Sequence, residues 1–442
     1  MNKLSADTRI NLLFDEGSVS YVSRQDNGIL TGFAGISGHK VAFFVQDFSV
    51  KGGSITKEIG RIARDIMNAA LEMKIPLISV YDSGGARLQD GVHALYGVAD
   101  ILNGHRELKG KVPQIALVLG PCAGGSAYGP TICDFIFMVK DISEMFVTGP
   151  GVVKRLTGEN ISIEELGGAD IHNSTTGICH FLADTEPECF QMVRQLFGYI
   201  SETKTSSVMK KIVDLSDDIV PYDNKLPYDV HAVIDYISDK DSFFEIQKDY
   251  AKSIVCGFAR FEGRTCGIIA DQPNHLAGAI DTEAAEKAER FIATLNSFNI
   301  PFISIVDTPG FLPGKEQEHG KLLLRGARLF SALSGASVPI ITLILRKAYG
   351  GAYIVMGAKT VGQRYCFAWE KAQIGVMLND AAVDIIYKND MSGSKDMLLN
   401  RYEDTLPTLQ DLLEAGYIDR IIKRNESRKV ILETLDLIQR NA

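Results

Sequence analysis

The chain has 442 residues, 45% of them hydrophobic and 23% charged, with a net charge of −9 and a pI near 5.5. That length exceeds what one hydrophobic core usually supports, so two domains of roughly 200 residues each are expected. The acidic balance excludes the basic field that nucleic-acid binding needs, and the lack of any apolar run of roughly 18 to 20 residues excludes a membrane span.

The opening MNKLSADTRI lacks the apolar stretch of a secretory signal, so a cytoplasmic protein is expected. Seven cysteines (Cys122, Cys133, Cys179, Cys189, Cys256, Cys266 and Cys366) include no pair spaced as a zinc or redox motif. They read as reduced, buried small hydrophobes. The eight histidines show no ligand spacing either, and no metal is expected.

In chain order, VAFFVQDF at 41–48 is apolar and aromatic enough for a buried strand. The following SITKEIGRIARDIMNAALEM puts Ile59, Ile62, Ala63, Ile66, Met67 and Ala70 on one helical face. Next come IPLISVYDSGGARLQDG from Ile75, VPQIALVLG from Val112 and the glycine loop PCAGGSAYG at 121–129. The charged, proline-bearing segment 216–229 has turn chemistry without a sustained apolar period and reads as a linker. It divides the chain into domains 1–220 and 221–442. Beyond it the pattern recurs: a strand TCGIIAD at 265–271, then a helix with Ala284, Ala285, Ala288, Phe291, Ile292 and Leu295 on one face. IPFISIVDTPGFLPG follows from Ile300, VPIITLIL from Val338, and a second glycine loop KAYGGAYIVMG at 347–357.

The recurrence is an internal duplication. Pro76 matches Pro301, Asp82 matches Asp307, Pro113 matches Pro339, and Gly124 and Gly125 match Gly350 and Gly351, all within one residue of a fixed register. Strand, helix, strand, long excursion, strand, glycine loop and helix is a crossover α/β pattern.

A strand that ends in Gly-Gly before a helix leaves bare backbone N–H groups where no β-carbon keeps a ligand away. Such a loop suits a phosphate or an oxyanion that develops during reaction. A lone pair of glycines is better explained by a tight turn or close helix packing. The duplication, and a further pair at Gly84 and Gly85, favour the anion. GFLPGK at 310–315 is one residue short of a phosphate loop, with Glu316 where Ser or Thr should follow. There is no G-x-S-x-G elbow, and Ser126 has no His partner evident in the sequence.

The segments QDFSVKGGS, DSGGAR, GPCAGGSAYGP, MFVTGPGVVKRLTGE, EELGGADIHNSTTG, DTPGFLPGKEQEHG and RKAYGGAYIVMG occur in this order. In them the chain resembles the carboxyltransferase β subunits of biotin-dependent acyl-CoA carboxylases of the propionyl-CoA type. It is similar also to the α subunits of biotin-dependent acyl-CoA decarboxylases. The resemblance runs from about Arg9 to Ile422 and implies an α/β fold of two duplicated crotonase-like domains built from ββα repeats.

It further implies carboxyl transfer between carboxybiotin on a separate carrier and the α-carbon of a short acyl-CoA, with the cofactor supplying the base and the protein supplying orientation and anion stabilisation. By resemblance, Gly124 and Gly125 donate to the thioester enolate, and Gly351 and Ala352 to the biotin carbonyl. Gly350 and Tyr353 lie on the biotin side. Gly84, Gly85 and Ala86 form the CoA-side strand end, where Arg87 either pairs with a CoA phosphate or holds the loop by a salt bridge. Ile354 lines the acyl pocket. Cys122 is a packing residue and His319 is not catalytic.

The implied partners are a biotin carboxylase and biotin carrier, since the chain has neither a Met-Lys-Met acceptor motif nor an ATP-binding motif, and further copies of itself, usually a hexamer with sites between subunits. A membrane enters only through a partner, if the chain runs in the decarboxylase direction. The other readings are a crotonase-like hydrolase or isomerase and a non-catalytic partner subunit. Three positions depart from the family pattern: Glu370 stands for Pro, Leu378 for Gly, and Gly151 for an acidic residue.

Overall fold

The structure is a computed structural model that describes residues 3–24, 27–201, 215–216, 218–361, 364–388 and 394–441. It divides into two compact units, Met1–Glu202 and Thr203–Ala442. The described residues of segment 216–229, read as a linker, are instead pinned to the second core at Val220 and Tyr228, with most of the others exposed. Val220, Tyr228 and Val230 are buried there, and the carbonyls of Pro221, Asp223 and Leu226 all accept from Nη1 of Arg346. Local turn chemistry cannot reveal this, because the donor that fixes the segment lies more than a hundred residues downstream.

The first unit holds β1 (Ser20–Ser23), β2 (Ile29–Ile36), β3 (His39–Gln46), β4 (Leu77–Ser83), β5 (Gln114–Ala123), β6 (Phe135–Val139), β7 (Glu144–Phe146) and β8 (Phe181–Ala183). They form one sheet in the order β1-β2-β3-β4-β5-β6-β8, with β7 also paired to β5. The β1/β2 and β2/β3 pairs are antiparallel, and every pair from β3 onward is parallel. The second unit repeats this order with β9 (Phe244–Ile246), β10 (Ile254–Phe261), β11 (Arg264–Asp271), β12 (Phe302–Thr308), β13 (Ile340–Tyr349), β14 (Arg364–Trp369), β15 (Gln373–Gly375) and β16 (Arg420–Ile422). The duplication read from the sequence is thus a duplication of topology.

Strands β4 and β12 are buried along their whole length, as continuous apolar runs in parallel sheets must be. The predicted helical faces are the buried ones. Helix Lys57–Met73 buries Ile59, Ile62, Ala63, Ile66, Met67 and Ala70, and the Thr56 hydroxyl caps it by accepting from Ile59 N–H. Helix Thr282–Ser297 is capped by Asp281 and buries Ala284, Ala285, Ala288, Phe291, Ile292 and Leu295. In both sheets the register shifts at the same place, between Tyr81 and Ser83 in β4/β5 and between Val306 and Thr308 in β12/β13. Each irregularity carries a buried aspartate, Asp82 or Asp307.

Candidate active site

The first glycine loop begins where β5 ends. Gly124 turns the chain left-handed at φ 68° and opens a short helical turn, Gly124–Ala127, that runs into helix Tyr128–Ile132. The leading N–H groups of such a turn have no acceptor inside it. A β-carbon on Gly124 would meet nothing within 4 Å, and one on Gly125 only Val98 Cγ1 at 3.2 Å. The backbone there is open to an approaching group.

The neighbouring loop after β4 is held against the first. Gly85 has φ 95°, and a β-carbon on it would lie 2.7 Å from the Ala123 carbonyl oxygen, so only glycine lets these two strand ends approach. Gly84 N–H donates to the Gly52 carbonyl at 3.0 Å, and the Ile55 and Arg87 amides continue the ladder. Ala86 makes a parallel bridge with Ile55. Arg87 is anchored by Nε to Ser54 Oγ at 3.0 Å and by Nη2 to the Ser54 carbonyl at 3.2 Å. Its structural partner is therefore a serine loop rather than an acid.

Ser126 and Cys122, the nucleophile types in this loop, are both committed to structure. The Ser126 hydroxyl donates to the Ala123 carbonyl at 2.6 Å. Burial pushes the Cys122 thiol up to about 12, so it stays protonated and packs as a small hydrophobe.

The second loop follows β13 in the same way. Gly350 has φ 59° and starts helix Gly350–Gly357. A β-carbon on Gly351 would lie 3.3 Å from Cε2 of Phe311, and one on Gly350 would lie 3.1 Å from the Val376 carbonyl oxygen. Ala352 is buried, Tyr353 half-buried, and Ile354 is 43% exposed on the same helix. Packing inside its own unit does not account for Ile354. The Tyr349 hydroxyl donates to Gln373 Oε1 at 2.9 Å and ties the start of the loop to β15.

Beneath each loop lies a buried charge cluster. In the first unit, Arg9 reaches Asp82 at 2.7 Å, Glu186 at 2.6 Å and the Leu119 carbonyl at 2.6 Å, while Lys3 adds a second contact to Asp82 at 2.7 Å. In the second unit, Asp307 takes Arg346 Nε at 2.7 Å and the Tyr228 hydroxyl at 3.0 Å. Burial raises the Asp271 carboxyl well above the usual range, against the Asp307 N–H that it accepts. A third buried set joins Tyr81 to His105 at 2.5 Å and His105 to Gln114 at 2.8 Å, with desolvation lowering His105 to about 4. It supports helix Tyr128–Ile132 from below, since a β-carbon on Gly129 would strike the Tyr81 hydroxyl at 2.4 Å.

The sequence marks the glycine loops by pattern but gives no sign of these supports. Asp82 and Asp307 had been visible only as register marks of the duplication, and Arg9 carried no local signal. Of the departures, Glu370 lies in an exposed turn after β14, Leu378 precedes helix Asn379–Ile386, and Gly151 is exposed in helix Pro150–Thr157. His319 ends the exposed helix Lys315–His319. All seven cysteines are buried free thiols. Among the described residues, no group of three or more His, Cys, Asp or Glu is arranged to hold a metal.

Two units of this topology, each ending a central parallel strand in a left-handed glycine, define a duplicated crotonase-like architecture. The chain belongs to the carboxyl transferase domain family, whose model matches residues 2–442. It is 38% identical to the propionyl-CoA carboxylase carboxyltransferase subunit of Haloferax mediterranei, over 99% of this chain and 90% of that one. It is 37% identical to the methylmalonyl-CoA decarboxylase subunit alpha of Veillonella parvula, with the same coverage. Among solved structures it matches the transcarboxylase 12S hexamer, with methylmalonyl-CoA and methylmalonic acid bound, at TM-score 0.92 and 36% identity, covering 98% of this chain and 90% of that one.

Proposed function

We propose that this chain is the carboxyltransferase subunit of a biotin-dependent acyl-CoA carboxylase, moving a carboxyl group between biotin on a separate carrier and the α-carbon of a short acyl-CoA. The observation that carries the proposal is the pair of glycine loops at equivalent strand ends, each entered through a left-handed glycine. Two oxyanions need two sets of donors.

Biotin, when bound, supplies the carboxyl group and the proton acceptor. The chain's own residues do the rest. Gly124 and Gly125 present backbone N–H groups to the thioester oxygen as charge develops on it, an interaction stronger in the transition state than in the ground state. Gly351 and Ala352 present theirs to the ureido oxygen. Gly351 lets the Phe311 ring pack against the second loop, where a β-carbon would lie 3.3 Å from Cε2. Gly350 and Tyr353 complete that side. Gly84, Gly85 and Ala86 shape the acyl-CoA side, and Arg87, fixed by Ser54, offers its charge to a CoA phosphate. The exposed Ile354 side chain suits a short alkyl acyl group.

The same loops serve the reverse reaction, and the Veillonella relative supports that as the second reading. We place the working form in the cytoplasm, as a hexamer served by biotin carboxylase and carrier subunits. The transcarboxylase hexamer supports the assembly, and no described helix is long and apolar enough to cross a membrane. The test is loss of the carboxyl group from malonyl-CoA and methylmalonyl-CoA, comparing free biotin with a biotinylated carrier. Biotin-dependent turnover that drops by about 10²-fold or more in Gly351→Trp is expected. Turnover without biotin would overturn the proposal in favour of a hydrolase or isomerase.

A further inference from the structure

The two repeats meet one backbone requirement in different ways, and the difference falls on Lys347. In the first unit Lys51, Gly52 and Gly53 form a left-handed turn, with φ of 51°, 65° and 59°. The second unit repeats the turn with Leu276, Ala277 and Gly278, at 49°, 54° and 81°. Two of these three carry side chains in a region that costs L-residues roughly 1–2 kcal/mol each. Such a turn persists only where its surroundings hold it.

In the first unit Gly84 N–H holds the turn by donating to the Gly52 carbonyl at 3.0 Å. The residue matching Gly84 is Pro309, which has no N–H. The Ala277 carbonyl instead receives Nζ of Lys347 at 3.4 Å. Lys347 matches Pro121, a residue with no side-chain donor. The donor has moved from backbone to side chain, with proline at the vacated position in each repeat. Lys347 is held for this: its side chain is 7% exposed and lies 3.8 Å from Asp307. The turn in turn fixes the wall of the second glycine loop. Ile280 N–H donates to the Gly310 carbonyl at 3.1 Å and Leu312 N–H to the Ile280 carbonyl at 2.9 Å. These bonds bracket Phe311, the ring that stands against Gly351.

We infer that Lys347 is a positioning residue for the second glycine loop: its ammonium replaces the N–H that Pro309 lacks, holding the turn 276–278 and, through Ile280, the Phe311 wall. The catalytic consequence rests on the proposed function; the structural consequence does not.

The experiment compares the full chain with Lys347→Met, Pro309→Ala and the double variant. Amide hydrogen exchange is read on peptides covering 275–281, and biotin-dependent malonyl-CoA decarboxylation is read in parallel. Lys347→Met should speed exchange of the Gly278 and Ala279 amides by about tenfold, the scale of one hydrogen bond from a charged donor. It should lower kcat with biotin while leaving KM for the acyl-CoA unchanged. Adding Pro309→Ala restores a backbone N–H and should return both readings toward the parent protein. Unchanged exchange in Lys347→Met, or a defect that Pro309→Ala leaves in place, overturns the inference. If Lys347→Met does not fold, refolding of the double variant supports the inference and its failure to fold overturns it. A parent protein without biotin-dependent turnover removes the functional reading alone, and exchange still decides the role of Lys347.

Discussion

Arg9 Nη1 lies 2.7 Å from Asp82 Oδ2, with both side chains 2% exposed. Arg9 comes from the N-terminal helix Ala6–Leu13 and reaches the irregularity between β4 and β5 directly below the first glycine loop. In the second repeat the matching aspartate, Asp307, takes its arginine from the neighbouring strand, as Arg346. The first-repeat counterpart of Arg346 is Gly120. A β-carbon at Gly120 would strike Asp82 Oδ1 at 2.1 Å, so the strand leaves room and the helix delivers the charge.

Removing Arg9 leaves buried Glu186 without its cation and leaves Asp82 with Lys3 alone. Arg9→Met is therefore expected to destabilise the protein by about 3–5 kcal/mol, the usual result of breaking one side of a buried ion pair. Arg9→Lys should recover little of this, because a single ammonium cannot span Asp82, Glu186 and the Leu119 carbonyl together. Denaturant titration of the three proteins checks both statements. A loss under 1 kcal/mol in Arg9→Met would contradict them.

The close approach of the first two loops gives the second prediction. Gly85→Ala places a β-carbon at φ 95° and 2.7 Å from the Ala123 carbonyl. The backbone strain alone is about 1–3 kcal/mol, and relief requires the Ala123–Gly124 junction to move. Activity should fall more than stability. Gly84→Ala is the control, since its β-carbon would meet only the Gly52 oxygen at 3.7 Å. Equal activity of the two variants would rule out close packing at Gly85 as the reason for that glycine.

The architecture was legible in the sequence because its signals are local and repeated: buried runs ending in aspartate, helices with a single apolar face, and glycines at fixed offsets. The loops were legible for the same reason, Gly124 and Gly350 being the left-handed residues that each strand-to-helix turn requires. The supports were not. Arg9 meets Glu186 across 177 positions, and Tyr228 meets Asp307 across 79; neither pair leaves a spacing that local pattern can detect. The segment 216–229 was misread for the same cause, since its polar and proline residues suit a linker until Arg346 is seen to gather its carbonyls.

Asp271 and Gln46 occupy matching places, at the ends of β11 and β3, and each accepts the N–H of the buried aspartate beside it, at 3.0 and 3.1 Å. Burial raises the Asp271 carboxyl well above its usual range, and an amide, whose oxygen accepts the same N–H without a charge, should do its work as well as the acid. Asp271→Asn is expected to change stability by less than about 1 kcal/mol. Asp271→Leu leaves the Asp307 amide without an acceptor and should cost about 1–3 kcal/mol. Thermal denaturation of the two variants separates the cases. A large loss in Asp271→Asn would mean that the group is charged in the folded protein.

His231 provides a pH test of the second unit. Its ring bonds Glu245 at 2.9 Å and Asp229 at 2.6 Å, and Gln272 holds Asp229 at 2.8 Å. The hydrogen bond to Glu245, opposed by burial and assisted by Asp229, raises His231 from 6.5 to about 9. Because the folded-state value lies above the unfolded one, the contribution is fully present below about 6.5 and is lost as pH rises through about 9. The melting temperature should therefore fall between neutral pH and pH 10, and His231→Gln should flatten that fall while lowering the value at neutral pH. With the ring 35% exposed, solvent screening keeps the effect modest. Parallel melting curves for the two proteins across this range would show that the two carboxylates do not hold the imidazolium.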